Sequence, residues 1–370
     1  MTSAAKSTPT PVIVVDDSPV QRRFVRAAVE ADPDFTVVGE ARNGKEAVAL
    51  VARLRPVVVL MDLDLPVMSG IEAIERIMAS SPTPILVYSA HVGGEESANA
   101  LEALAAGAVD VLAKPGPDDH GSLDEYADQL RKKLRVAARV RVITHPRGKL
   151  RTRETAPTGI RLGLTKPSPA PILAEPLQVR PGVKLIAIGA STGGPQALHA
   201  LLRDLPDDLE QAVLVVQHMA EGFIPGLASW LDQLVPMPVV VGGSGKRLLA
   251  GQITIAPSGH NLLVQDDRLR VMCVDPEPGQ FHVPGIDQCF VSVADALGPD
   301  AIGVLLTGMG RDGAQGLKAM RARGAMTLGQ DEATSTVYGM PQAAFALDAV
   351  ERQLAIEDIA PALLGLVDRA

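Results

Sequence analysis

The chain has 370 residues, 46% of them hydrophobic and 21% charged, with a net charge of −8, a balance that predicts two or three soluble globular domains. Cys273 and Cys289 are its only cysteines, which excludes a disulfide framework and a cysteine-built zinc site and fits a reducing cytoplasm. Met1–Pro11 has no apolar centre, and no apolar run reaches the roughly 20 residues of a bilayer span, so neither a secretory signal nor membrane insertion is expected.

Pro11–Val15 reads as a buried strand, and Ser18–Glu30 as a helix capped by Ser18 with Pro19 in its first turn. Strands follow at Phe35–Glu40, Val57–Met61, Pro84–Tyr88 and Val109–Ala113. Helical patterns fall between them at Gly44–Leu54, Gly70–Ala79 and Glu95–Ala106. Five strands alternating with helices predict a five-stranded, parallel, doubly wound α/β domain over residues 11–134, behind a disordered N-terminus at 1–10. Its functional groups should gather at the carboxyl ends of the strands. Asp16 and Asp17 end the first strand, Asp62 the third, Ser89 the fourth, and Lys114 the fifth. Three carboxylates brought that close repel unless a cation lies among them, and an all-oxygen ligand set favours Mg²⁺. With a hydroxyl and an ammonium added, these are the parts that phosphoryl transfer to an aspartate requires.

This segment resembles a response-regulator receiver domain, through Val14-Val15-Asp16-Asp17-Ser18, Met61-Asp62-Leu63-Asp64-Leu65-Pro66-Val67-Met68-Ser69-Gly70, Ser89 and Lys114-Pro115. The resemblance implies Asp62 as phosphoacceptor and Asp17 and Asp62 as Mg²⁺ ligands. It implies Asp16 acting through water, and a ligand carbonyl from Asp64. Ser89 and Lys114 would contact the phosphoryl oxygens. Receivers usually carry an aromatic switch residue where Val111 stands, so activation by a ring flip is not expected.

Arg131–Val142 is read as extending the last helix of this domain. Across 135–182 the chain becomes basic and rich in proline, with Pro146, Pro157, Pro167, Pro169, Pro171 and Pro176 breaking any periodicity. From Arg131 to Arg180 there are thirteen Lys or Arg against two Glu. The first reading is a solvated linker. Docking on an acidic domain or near anionic lipid headgroups is the alternative. Because the basic residues lie in this linker and no helix-turn-helix pattern follows, no nucleic-acid partner is expected.

A second domain is expected over 183–370, with parallel strands at Lys184–Ile188, Ala212–Val216 and Ala301–Leu306 and a helical stretch at Gly313–Arg323. Gly251–Ala256, Asn261–Gln265 and Leu269–Val274 read as an antiparallel excursion. After the first strand comes Gly189-Ala190-Ser191-Thr192-Gly193-Gly194-Pro195, a strand–glycine turn–helix pattern with a serine at its crest. Such a turn can carry a nucleophile, bind an anion on the helix N-terminus, or only pack the helix on the sheet. A dinucleotide fingerprint is disfavoured because Ser191 stands at its central glycine position. His218 follows the second strand, and a histidine there is often structural. Asp312 follows Ala301–Leu306, where it could instead cap the next helix. All three residues fall just beyond parallel strands, so one sheet edge can present them together as nucleophile, base and orienting acid. Their chain order, Ser then His then Asp, differs from that of the α/β-hydrolases.

Over nearly all of Val183–Val350 the sequence resembles the catalytic domain of chemotaxis protein-glutamate methylesterases. The resemblance rests on Ile188–Pro195, Gln217-His218-Met219, Ile255–Leu263, Ala301–Gly310, Asp312-Gly313, Gln330-Asp331-Glu332-Ala333 and Tyr338-Gly339-Met340-Pro341. It implies Ser191 as nucleophile, His218 as general base and then acid, and Asp312 holding the imidazole. It further implies the Met309 amide as an oxyanion donor, Thr192 lining the site, and no cofactor in this domain. Methyl-accepting chemoreceptors would be the substrates and a chemotaxis histidine kinase the phosphodonor. Deamidation of glutamine side chains is the expected second reaction. Where the family tends to show Arg-Pro-Ser, this chain has Val283-Pro284-Gly285, a change that touches substrate contacts rather than the triad. Two other classes stay open at this level: a receiver-controlled hydrolase of a small, non-receptor ester, and a non-enzymatic output module.

Overall fold

A computed structural model describes residues 8–89, 95–115, 123–140, 142, 179–280 and 282–367. The expected N-terminal disorder lies largely outside the described residues, as does nearly all of the Pro-rich linker. In the first domain, strands β1 (Thr10–Val15), β2 (Phe35–Ala41), β3 (Val58–Met61), β4 (Ile85–Ser89) and β5 (Asp110–Ala113) form a wholly parallel sheet in the order β2-β1-β3-β4-β5. Helices α1 (Pro19–Glu30), α2 (Gly44–Leu54), α3 (Gly70–Ser80), α4 (Glu95–Ala105) and α5 (Leu123–Ala137) connect the strands and follow the last one. The side chains of Ser18, Asn43 and Ser69 cap α1, α2 and α3 by accepting from the amides of Gln21, Glu46 and Glu72, which satisfies helix donors that have no partner within the helix. The extension read over Arg131–Val142 is a correction: α5 begins earlier and stops at Ala137. There the amides of Arg139 and Val140 turn to carbonyls three residues back and tighten the chain out of the helix.

The second domain is built on a seven-stranded parallel sheet. Its strands are β6 (Leu185–Ala190), β7 (Ala212–Gln217), β8 (Val239–Val241), β9 (Ile253–Ile255), β12 (Ala301–Leu305), β13 (Met326–Gln330) and β14 (Arg352–Leu354), in the order β14-β13-β12-β6-β7-β9-β8. Strands β10 (Asn261–Val264) and β11 (Val271–Val274) form a separate antiparallel pair. The stretch Gly251–Ala256, expected in that excursion, is instead β9, paired in parallel with both β7 and β8. All three of its residues are buried, the pattern of a strand covered on both faces, whereas an antiparallel ribbon can expose one face.

Helices α6 (Gly194–Leu202), α7 (Phe223–Asp232), α8 (Ile286–Leu297), α9 (Ala314–Ala322), α10 (Met340–Ala346) and α11 (Ile356–Leu366) complete this domain. Strands β6, β7, β12 and β13 are buried along their whole length. From β6 the chain runs outward through β7, then returns to lay β12 on the other side of β6. The crevice of a doubly wound sheet opens at such a reversal, beyond the carboxyl ends of the strands. The two domains meet: α4 packs on α7 and α6, and buried apolar residues of both domains join in one cluster. Among the described residues no helix is long and apolar enough to cross a membrane.

Candidate active site

Ser191 and His218 follow neighbouring strands in register, since Ala190 pairs with Gln217 at the ends of β6 and β7. The His218 amide donates to the Ala190 carbonyl at 3.0 Å, and the Ser191 amide to Thr307 beyond β12, also at 3.0 Å. Two glycines let the chain turn so tightly here. Gly193 has φ +77°, and a Cβ on Gly194 would stand 1.9 Å from Gln217 Oε1. Gln217 is buried, and its amide nitrogen donates to both the Ser191 carbonyl (2.9 Å) and the His218 carbonyl (2.8 Å). One side chain thus braces the main chain of both residues. Sequence reasoning gave Gln217 no role, because its use depends on the register of two strands far apart in the chain.

His218 Nε2 lies 2.8 Å from Asp312 Oδ2. The Asp312 carboxylate also accepts from the amides of Ile286 (2.8 Å), Asp287 (2.9 Å) and Gly313 (3.0 Å). Ile286 and Asp287 open α8, whose N-cap Gly285 offers no side-chain acceptor. Asp312 therefore terminates α8 from across the site, rather than capping the helix that follows it in sequence. Burial pushes the Asp312 carboxyl up. The hydrogen bond and charge of His218 and the two α8 amides outweigh it and hold the group at about 2. An ionised carboxylate can only accept, so Nε2 carries the hydrogen of the neutral imidazole and the lone pair lies on Nδ1. Among the described residues the buried Nδ1 has no hydrogen-bond partner, Ser191 included. The His–Asp arm of the constellation is formed, while Ser191 and His218 follow paired strand ends with no hydrogen bond between their side chains. Such contacts are often loose before substrate binds.

Two further expected residues, Met309 and Thr192, neighbour Gly308 and Ser191 in the chain. A Cβ on Gly308 would meet the Ser191 Cβ at 2.6 Å, so the loop after β12 closes directly on the serine. Met309 follows, 37% exposed, ahead of Gly310 at φ +92°. Thr192 is buried, its carbonyl accepting from Thr307 Oγ1 at 3.0 Å. Its own hydroxyl donates to Asp110 Oδ2 of the first domain at 2.9 Å, and Lys133 of α5 reaches the same oxygen at 2.7 Å. Gln196 of α6 donates to the carbonyls of Leu104 (3.0 Å) and Ala108 (2.9 Å). The edge of the first domain around β5 is thus hydrogen-bonded to the residue that follows Ser191.

At the carboxyl edge of the first sheet, Asp16, Asp17 and Asp62 each bring one carboxylate oxygen within 4.8 Å of the others. Asp16, Asp62 and Ser89 are buried, and Asp17 and Asp64 are exposed. Lys114 Nζ lies 2.7 Å from Asp62 Oδ2 and 2.8 Å from Asp16 Oδ2. Burial raises the Asp62 carboxyl to about 6; the hydrogen bond and charge of Lys114 pull it down and the Asp16 charge pushes it up. Three convergent carboxylate oxygens are a hard donor set that fits Mg²⁺.

Comparison with known proteins places both halves. Residues 12–122 match the response regulator receiver domain model and residues 186–363 match the CheB methylesterase model. A relative from Paramagnetospirillum magneticum, named protein-glutamate methylesterase/protein-glutamine glutaminase 3, is 41% identical over 96% of this chain and 95% of its own. The chain belongs to the CheB methylesterase family. Another member, from Anaeromyxobacter dehalogenans, is 41% identical over 99% of both chains. The crystal structure of the Thermotoga maritima CheB methylesterase catalytic domain is 29% identical, covering 50% of this chain and 99% of its own with a TM-score of 0.48. The T. maritima CheB response regulator domain is 37% identical, covering 36% and 98%, with a TM-score of 0.33. The two family models give this chain a receiver domain followed by a CheB methylesterase domain.

Proposed function

We propose that this protein hydrolyses glutamate γ-methyl esters on methyl-accepting chemoreceptors, releasing methanol, and also deamidates receptor glutamines. The observation that carries the reading is the hydrogen-bonded His218–Asp312 pair, with His218 following the strand whose end pairs in register with the strand that leads into Ser191. Ser191 Oγ attacks the ester carbonyl carbon while His218 Nδ1 takes its proton. The imidazolium, held by Asp312, then gives that proton to the departing methoxide, and methanol leaves. Water, deprotonated by the same nitrogen, opens the acyl-enzyme to free the glutamate and restore Ser191. The Met309 amide serves as oxyanion donor, an interaction worth about 3–4 kcal/mol in the transition state, and Thr192 lines the cleft. With glutamine the leaving group is ammonia and the steps are otherwise the same.

A chemotaxis histidine kinase supplies the phosphoryl group to Asp62 in the cytoplasm, with Ser89 and Lys114 contacting its oxygens. Asp17, Asp62 and the Asp64 carbonyl would hold Mg²⁺, Asp16 acting through water, and the ion when bound neutralises charge during transfer. Phosphate adds roughly −1.5 to −2 charge at Asp62. Drawing Lys114 and Ser89 inward loosens the β5 edge that holds Thr192 and Gln196, and opens the cleft. Residues 11–134 and 183–370 are the two working units, and 135–182 connects them. The test is methanol release from methylated receptor membranes with and without a phosphodonor. Ser191→Ala should fall to background while Asp62 is phosphorylated at the wild-type rate; release near the wild-type level would end the assignment.

A further inference from the structure

His282 lies between β11 and α8, and its ring stacks on His218 with centroids 4.4 Å apart and planes 7° from parallel. Asp312 fixes only one atom of the His218 ring, Nε2, and a single hydrogen bond leaves the tilt of the ring plane to packing. The direction of the Nδ1 lone pair follows that tilt. A ring lying flat against the base determines it, and also keeps water off that face.

We infer that His282 is a positioning residue for the base, holding the His218 imidazole in the plane that aims Nδ1 at Ser191. This rests on the reading of Ser191 and His218 as nucleophile and base. A stacked ring helps only if it does not repel the imidazolium formed at each turnover. The groups facing His282 are His218 after β7, Asp312 after β12 and Lys133 on α5. Desolvation, then the His218 charge, hold its titration below the ordinary histidine range, with Lys133 adding to this and Asp312 opposing it. The direction of that shift favours the uncharged ring, which does not repel the imidazolium. Its role in the reaction is exerted through the His218 ring on which it stacks.

The test uses the full-length chain, phosphorylated, with methylated receptor membranes. His282→Ala should lower kcat about tenfold with KM within about twofold, as expected for misorienting a group that acts in the transition state. His282→Phe keeps a flat ring and should recover to within about threefold of wild type. The acidic limb of kcat/KM should move to higher pH in His282→Ala, where the imidazolium gains solvent, and stay near wild type in His282→Phe. Wild-type kcat in His282→Ala would overturn the inference, as would His282→Phe falling as far as His282→Ala. Ser191→Ala run in parallel separates the two readings. Methanol release by that variant would remove the triad itself, whereas an inactive Ser191→Ala beside a fully active His282→Ala would remove only the stacking role.

Discussion

Asp312 shows how much one side chain can do when four donors converge on it. His218 and the Ile286, Asp287 and Gly313 amides all point at its carboxylate, so it orients the imidazole and terminates α8 together. Its carboxyl, held at about 2, lies below the unfolded value near 3.9. The sign follows from linkage: the native state favours the ionised form, so the stabilisation is complete above about pH 4 and is lost as pH falls toward 2. Wild type should therefore lose about 2 kcal/mol over that interval that Asp312→Asn does not lose, measured by urea unfolding at a series of pH values. At neutral pH the same variant should drop kcat by about 10⁴, because an amide no longer dictates which ring nitrogen is protonated. Sequence order alone allowed Asp312 to be a cap for its own following helix. Only the fold brings the amides of α8 to it.

At the scale of elements, the glycine turn after β6 was the most readable feature of the chain. Its sequence specifies a strand, a left-handed glycine and a helix start, and the structure places Ser191, Gly193 and α6 accordingly. Gly194→Ala is expected to drive its Cβ into Gln217 Oε1, which stands 1.9 Å away. The brace between the Ser191 and His218 carbonyls would then break. Activity should fall at least tenfold with a loss of roughly 1–3 kcal/mol in stability, read from methanol release and chemical denaturation of one preparation. Strands bounded by turn residues, such as β1, β3 and β4, were legible within one residue. β9 was not, because Ile253–Ile255 is too short for its periodicity to separate a buried central strand from a hairpin arm. Only pairing with β7 and β8 decides it. β8 and β14 went unread for the same reason, each being three residues long.

For the whole molecule, the sequence yields two doubly wound units but says nothing of how they dock, since apart from Thr192 the polar docking contacts use residues that no motif marks. Asp110, which accepts from Thr192, and Gln196 carry the polar contacts between the domains among the described residues, and Asp110 and Gln196 each read in isolation as an ordinary surface residue. If the β5 edge restrains the cleft, Gln196→Ala should raise methanol release by the unphosphorylated chain several-fold and leave the phosphorylated rate unchanged. Equal rates for the variant and wild type without phosphodonor would remove that contact from regulation. The Mg²⁺ site makes a separate prediction. Millimolar Mg²⁺ should raise the Tm of the first domain's transition in wild type, and chelation should reverse the rise. Asp17→Asn should show no such response, because its exposed carboxylate contributes to folding chiefly through the ion. The account as a whole depends on Ser191, His218 and Asp312 working as one unit. The most direct measurement is kcat/KM for methanol release by Ser191→Ala, His218→Ala and the double variant, each phosphorylated. A common floor for all three is the predicted result, because removing either member already disables the other. Losses that multiply in the double variant, or turnover surviving without the Ser191 hydroxyl, would contradict it.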